Sequence, residues 1–270
     1  MKLALNGATT LLGTIEQDIE AAVAAGYDGL ELWLPKVNAY LERGDLGALR
    51  QQLADSGLRL LTINSLERFN FNDPSGHQRM LVDAERLCRL AQALGVETVV
   101  VVPSPRPAGL TDEAVMAESE RSMRDLLALA ERYDVKLALE FLGFEGCSIR
   151  TLDEALQVVR RIGHPRLSVV VDTFHFYVGR SRVESLATLR SGELCILHIN
   201  DCEPGPLAAM SDDRRLYPGL GAIPLQAIRA ALGASGYDGF ISIEIFRPEY
   251  WHQPVASVAA AALMHAKRFA

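Results

Sequence analysis

The sequence predicts a (β/α)8 barrel, on three observations. Short β-rich runs alternate with longer stretches of helical period from one end of the chain to the other. Eight such runs occur, and Thr98–Val102 and Leu167–Val171 are almost wholly apolar. That is the pattern of parallel strands covered on both faces, whereas half-exposed strands alternate. The 270 residues also suit one barrel, since this architecture runs to about 250 residues.

The first strand is predicted at Leu3–Asn6, and the helix after it opens at Thr14-x-x-Gln17. There a hydroxyl and an amide satisfy exposed N–H groups reciprocally, the arrangement called a capping box. Gly26 closes that helix before the second strand, Gly29–Leu32, and Gly57 precedes the third, Arg59–Asn64. The fourth strand, Thr98–Val102, follows Gly95; the fifth is Lys136–Glu140. A second capping box, Thr151-x-x-Glu154, opens the next helix, which Gly163 ends before the sixth strand, Ser168–Asp172. The seventh strand is Leu194–Ile199, and the eighth, Phe240–Glu244, follows Gly236. These glycines sit where a left-handed residue ends a helix at low cost. No Pro/Gly/Ser-rich linker interrupts the series, so residues 1–270 are expected to form a single domain. Ala25-Gly-Tyr-Asp-Gly29 and Ser235-Gly-Tyr-Asp-Gly239 repeat one helix-to-strand turn. A doubly wound open sheet is the competing architecture, but Asn6-Gly-Ala-Thr-Thr10 after the first strand has no G-x-G-x-x-G.

Composition excludes several classes. Hydrophobic residues at 49% and charged residues at 23% describe a folded globular chain. With 27 basic against 34 acidic residues the net charge is −7, which disfavours a phosphate-tracking nucleic-acid surface. The apolar runs fall far short of the roughly 20 residues that span a bilayer. The start, MKLALNGATTLLG, lacks the length of a signal peptide, and a cytoplasmic protein is expected. Cys88, Cys147, Cys195 and Cys202 show no CxxC spacing, so free thiols are expected rather than a zinc–thiolate site.

A parallel barrel builds its active site from the C-terminal ends of its strands. Glu140, Asp172, His198 and Glu244 end apolar runs and are spaced by 32, 26 and 46 residues. One βα unit is roughly 30 residues, so they fall on four successive strands. Three carboxylates and an imidazole converging on one mouth repel unless a cation sits among them. Oxygen and nitrogen donors without thiolate suit Zn, Mn, Co or Mg, so one divalent metal ion is the expected cofactor. The competing reading is a hydrogen-bonded polar layer that caps the barrel. His175, three residues past Asp172, is placed to meet a substrate hydroxyl. The long polar loop after His198 carries Arg214 and Arg215, each offering a planar fork to a substrate oxygen or to Asp212 or Asp213. Glu31 and Asn64, at the ends of the second and third strands, extend the polar ring as candidate substrate contacts. Trp33, Phe69 and Phe71 are candidate walls for the apolar faces of a polyol.

Several motifs carry a resemblance. They are Asn6-x-Ala-Thr-Thr10, Ala138-Leu-Glu-Phe141 with Cys147, Asp172-x-Phe-His-Phe176, His198-Ile-x-Asp201, Asp213-Arg-x-x-x-Pro-Gly219 continuing to Gly221-Ala-Ile223, and Glu244-x-Phe-Arg-Pro-Glu-Tyr250. Together they resemble the xylose-isomerase-like TIM-barrel superfamily, in particular its isomerases of keto-inositols, from first strand to last. The resemblance implies that Glu140, Asp172, His198 and Glu244 are metal ligands, with His175 and Arg215 as substrate contacts. The spacing Arg-x-x-Pro-Gly selects Arg215 over Arg214. The chain departs from the pattern at Gly7, where those enzymes carry an acidic residue, and at Leu32 and Trp33, where they carry a basic one. The loop Glu203–Ala209 differs as well.

The implied reaction moves the carbonyl of 2-keto-myo-inositol to the adjacent carbon through a metal-stabilised enediolate, giving a 1-keto-inositol. Of Glu140 and Glu244, one takes the proton and the other returns it. The same site suits a ketose 3-epimerase or an inosose dehydratase, which share that enediolate. Other superfamily members cleave DNA at abasic sites, but with histidine-rich multi-metal clusters, and here a single histidine ends a strand. A non-catalytic sugar-binding barrel would break at least one of the four positions, and all four are intact. The expected partner is a small polyol ketone or ketose, with no nucleic acid and no membrane; a homo-oligomer is compatible with the sequence.

Overall fold

Parallel neighbours need a crossover of a dozen or more residues between them, and helical segments supply one after every barrel strand. The computed structural model describes residues 1–270. Its barrel strands are β1 (Lys2–Asn6), β2 (Gly29–Trp33), β3 (Arg59–Leu66), β4 (Thr98–Val101), β5 (Lys136–Glu140), β6 (Leu167–Asp172) and β7 (Leu194–Ile199). A short antiparallel ribbon, β8 (Asp201–Cys202) with β9 (Arg215–Leu216), precedes the last barrel strand, β10 (Phe240–Ile243). The barrel closes in the order β1-β10-β7-β6-β5-β4-β3-β2, all pairs parallel. The eight expected strands are all present, with ends shifted by a residue or two. The ribbon was not expected, because two-residue strands carry no periodicity.

Local chemistry explains the crossovers. Both expected capping boxes form, Thr14 with Gln17 and Thr151 with Glu154. Gly26, Gly57, Gly95, Gly163 and Gly236 all take positive φ. Asp45, Asp73 and Thr111 cap three further helices through their side chains. Most apolar residues pack between the barrel wall and its helices in one large cluster. A separate cluster of Val100, Val102, Ala138, Val170 and Ile196 fills the barrel interior. Strand side chains alternate faces, so the residues two positions after Ala138, Val170 and Ile196 also point inward. Those residues are Glu140, Asp172 and His198. The apolar plug thus sets the floor on which the polar mouth stands. No helix is long and apolar enough to cross a membrane.

Candidate active site

The alternation that fills the barrel with valine, alanine and isoleucine delivers Glu140, Asp172, His198 and Glu244 to one spot. Each offers a ligand atom within 4.8 Å of all the others, and all four residues are buried. His198 Nδ1 lies 3.1 Å from Glu140 Oε1 and 3.3 Å from Glu244 Oε2. At the 4.8 Å that bounds the cluster, two carboxylates repel by roughly 3–4 kcal/mol even at an effective dielectric of about 20. Three carboxylates held this close favour a cation among them, and the O,O,O,N donor set fits a divalent metal. Protein cations already crowd the same carboxylates. Arg215 Nη1 donates to Asp172 Oδ2 at 2.8 Å and to Glu244 Oε2 at 3.1 Å. Burial disfavours a charged His198, yet the carboxylates of Glu31, Glu244 and Glu140 push its pKa well above the usual value. Burial, with the charges of Glu244 and Asp172, pushes the Glu140 carboxyl up to about 8 against the pull of His198.

Glu31, a candidate substrate contact, sits beneath the polar cluster. Its carboxylate is wholly buried behind the imidazole, 3.1 Å from His198 Nε2, and is absent from the pocket wall. Asn6 Nδ2 donates to it at 3.1 Å and Thr62 Oγ1 at 2.5 Å. Burial raises its pKa, but the His198 charge outweighs this and holds the carboxyl low. A carboxylate on the far ring nitrogen fixes the imidazole's tautomer and orientation. Glu31 thus lies against His198 and away from the pocket lining. Asn6 also donates to Glu244 Oε1 at 3.2 Å, so one amide spans the two carboxylates.

Above the cluster lies a pocket with about 500 Å³ of free space, counting its open mouth. Glu140, Glu244, His175, Arg215, Asp212 and Asn64 give it polar walls. Two buried donors in that wall lack a partner, Asn64 Nδ2 and His175 Nδ1. Burial lowers the pKa of His175, which favours the neutral ring. Arg215 lines the pocket too, but its nitrogens are engaged by Asp172, Glu244, Asp212 and His175. Its guanidinium lies 4.7 Å from the Phe174 ring centre and 5.0 Å from that of Phe246. Arg214 instead pairs with Glu203 at the surface. Trp33 reaches the pocket as expected; Phe69 is buried in the core and Phe71 packs against it.

The backbone explains these positions. Asp172 caps the helix Thr173–Val178, its Oδ1 accepting the His175 N–H at 2.8 Å, so ligand candidate and pocket histidine are set by one turn. That turn packs against the loop after β5 only because Gly143 and Gly179 face each other; a Cβ on either would overlap a carbonyl, of His175 or of Arg150. Asp201 organises the loop that carries Arg215. Its carboxylate accepts the N–H groups of Cys202, Gly219, Gly221 and Ile223 at 2.8–3.0 Å. A Cβ on Gly221 would overlap the Cys202 carbonyl. Asn200 completes the framework, donating to Asp172 Oδ2 at 2.7 Å. Asn6, Asp201 and Gly221 had a signal in the sequence as parts of motifs, whereas nothing marked Asn200, and nothing local paired Asn6 or Asn200 with the carboxylates.

A model of the family described as "Xylose isomerase-like TIM barrel" matches residues 19–268. The chain belongs to that family. It is similar to the inosose isomerase of Bacillus velezensis, 34% identical over 253 residues that cover 93% of this chain and 90% of that protein. Among solved structures it resembles the IOLI protein, determined with a bound zinc atom, with a TM-score of 0.93, 33% identity and coverage of 100% of this chain and 96% of that one. It is also 27% identical to the 3-dehydroshikimate dehydratase of Pseudomonas putida, over 93% of this chain but 39% of the dehydratase.

Proposed function

We propose that this protein is a divalent-metal-dependent isomerase that converts 2-keto-myo-inositol to a 1-keto-inositol. The observation that carries the reading is the placement of Glu140 and Glu244. Both line the pocket, both reach toward His198 Nδ1, and their strands β5 and β10 lie three places apart round the barrel. Similarity to inosose isomerases across nearly the whole chain supplies the substrate class.

Glu140, Asp172, His198 and Glu244 are the ligands we assign, and zinc is the ion we put first, on its presence in the similar IOLI structure. A bound divalent ion supplies Lewis acidity toward the ketone oxygen and its neighbouring hydroxyl oxygen. The chain's own groups move the proton. One of Glu140 and Glu244 takes the proton from the hydroxyl-bearing carbon beside the ketone, leaving an enediolate. The other delivers a proton to the former carbonyl carbon, while the hydroxyl proton passes to the oxygen there. His175 Nδ1 and Asn64 Nδ2, the two donors without partners, hold ring hydroxyls, and Arg215 keeps Asp172 and Glu244 in place. The four free cysteines fit a reducing compartment, and the cytoplasm is the location we propose.

Proton NMR in D2O tests this, with 2-keto-myo-inositol as substrate and metal-loaded protein. The expected result is deuterium entering beside the carbonyl and the 1-keto isomer accumulating, with neither in Glu244→Gln. A dehydrated product would favour the second reading, an inosose dehydratase, which the similarity to 3-dehydroshikimate dehydratase keeps in view. Exchange on a ketohexose with the inosose untouched would overturn the substrate assignment.

A further inference from the structure

The turn after β1 and the end of β2 meet more closely than side chains permit. A Cβ on Gly7 would stand 2.9 Å from Trp33 Cβ and 3.3 Å from Trp33 N. It would also stand 3.1 Å from Asp18 Oδ2, so a larger residue at position 7 crowds both Trp33 and the buried Asp18 carboxylate. The indole that Gly7 admits is half-buried and lines the pocket. Its ring meets Phe246 edge-on, with centroids 5.6 Å apart at 67°, and Phe246 meets Trp251 at 6.4 Å and 87°. The Trp251 indole N–H then donates to the Ala8 carbonyl at 3.2 Å, in the same turn as Gly7. Trp33 and Phe246 thus form an aromatic wall of the pocket, and Trp251, outside its lining, ties that wall to the turn after β1.

In the barrel order β5 lies across from β1, so the loop carrying Leu142 and Phe144 faces this wall over the mouth. Asn64 and His175, each with an unpartnered buried nitrogen, line the pocket together with Glu140, Glu244, Asp212 and Arg215. An apolar aromatic side beside a polar rim matches one shape of polyol. A six-membered carbocycle with equatorial hydroxyls has a face of axial C–H bonds and a rim of oxygens. An open-chain ketose exposes hydroxyls on every side and loses several bond rotations when ordered. We propose that Gly7 and Trp33 are specificity-determining residues, selecting a ring-form polyol ketone over an open-chain one. This deepens the isomerase reading and rests on it for the reacting carbonyl.

The test uses the zinc-loaded protein and two unreactive probes, myo-inositol and sorbitol, with binding followed by titration calorimetry. Trp33→Leu is expected to weaken myo-inositol about tenfold, the scale of one lost aromatic contact, and to leave sorbitol within about twofold. Trp33→Phe should recover most of the loss. Gly7→Ala keeps the indole but pushes it, and should match Trp33→Leu. Equal loss for both probes, or no loss of myo-inositol, overturns the proposal. If Gly7→Ala does not fold, the two Trp33 variants still decide it. Ring selectivity that depends on Trp33 in a protein inert toward inosose would uphold the wall and refute the reaction; turnover of inosose with selectivity unchanged in Trp33→Leu would do the reverse.

Discussion

Two buried charge clusters lie within a few residues of each other in the fold and are built on opposite principles. Beside the turn after β1, Lys36 Nζ meets Asp18 Oδ2 at 2.6 Å and the Thr10 carbonyl at 2.8 Å, and Thr10 Oγ1 donates to Asp18 at 2.6 Å. One base answers one acid, and their hydrogen bonds are closed among themselves. At the mouth, Glu31, Glu140, Asp172, Asp212 and Glu244 surround only His198 and Arg215. Negative charge is in excess there, and two donors in the adjoining wall stay free. A structural ion pair is complete in itself, whereas a binding site keeps charge and hydrogen-bonding capacity for something else.

The sharpest way to separate the two is to change one carboxylate in each. Glu244→Gln should slow solvent exchange into inosose by about a thousandfold, the scale of a lost acid–base group, while the unfolding midpoint in urea holds or rises. A large fall in stability would show that Glu244 is a structural partner like Asp18. Lys36→Met should do the opposite. Leaving Asp18 buried without its partner costs about 3 kcal/mol or more of stability, read by urea unfolding, while the exchange rate per folded molecule is kept.

That second effect has a pH signature. Burial, working against Lys36 and Thr10, raises the Asp18 carboxyl from its ordinary 3.8 to about 6. The folded state therefore holds this proton more tightly than the unfolded state. Asp18 contributes about 3 kcal/mol of relative stability below pH 4, and it is lost as the pH rises through 6. Asp18→Asn should flatten that part of the stability profile, and the cost of Lys36→Met should shrink at pH 5, where Asp18 takes up a proton. A profile unchanged by Asp18→Asn would refute the assignment.

Smaller effects sharpen the picture of the mouth. Glu31→Gln should weaken zinc binding about 10- to 100-fold, the range for lost carboxylate support of a metal-binding histidine, in competition with a chelating dye. Unchanged affinity would make Glu31 a bystander. Asp201→Asn should cost least, about tenfold in kcat/KM, because it loosens the loop bonds that seat Arg215. Its loss should be non-additive with Arg215→Lys in activity but additive in unfolding; additivity in both would show that Asp201 serves stability alone.

Much of this molecule is legible in its sequence. Eight strands, two capping boxes and the glycine stops follow from interactions within a few residues, as do the four acidic and imidazole strand ends. Side-chain alternation makes a strand's inward face a property of its own sequence. What a strand end meets across the mouth is not such a property. Glu31 was expected beside substrate because it ends a strand, yet the barrel's register sets it under His198, 167 residues away. Asn6 bridges Glu31 and Glu244 across 238 residues only once β1 closes between β2 and β10. Gly7 and Trp33 stood out in the sequence only as separate departures from a motif, and their contact appears only in the fold. The sequence by itself determined the repeating units and the chemistry at their tips, because periodicity and capping are short-range. Which tip faces the pocket and which lies beneath it was decided by the tertiary structure, because closing a staggered barrel brings together residues that no local pattern links.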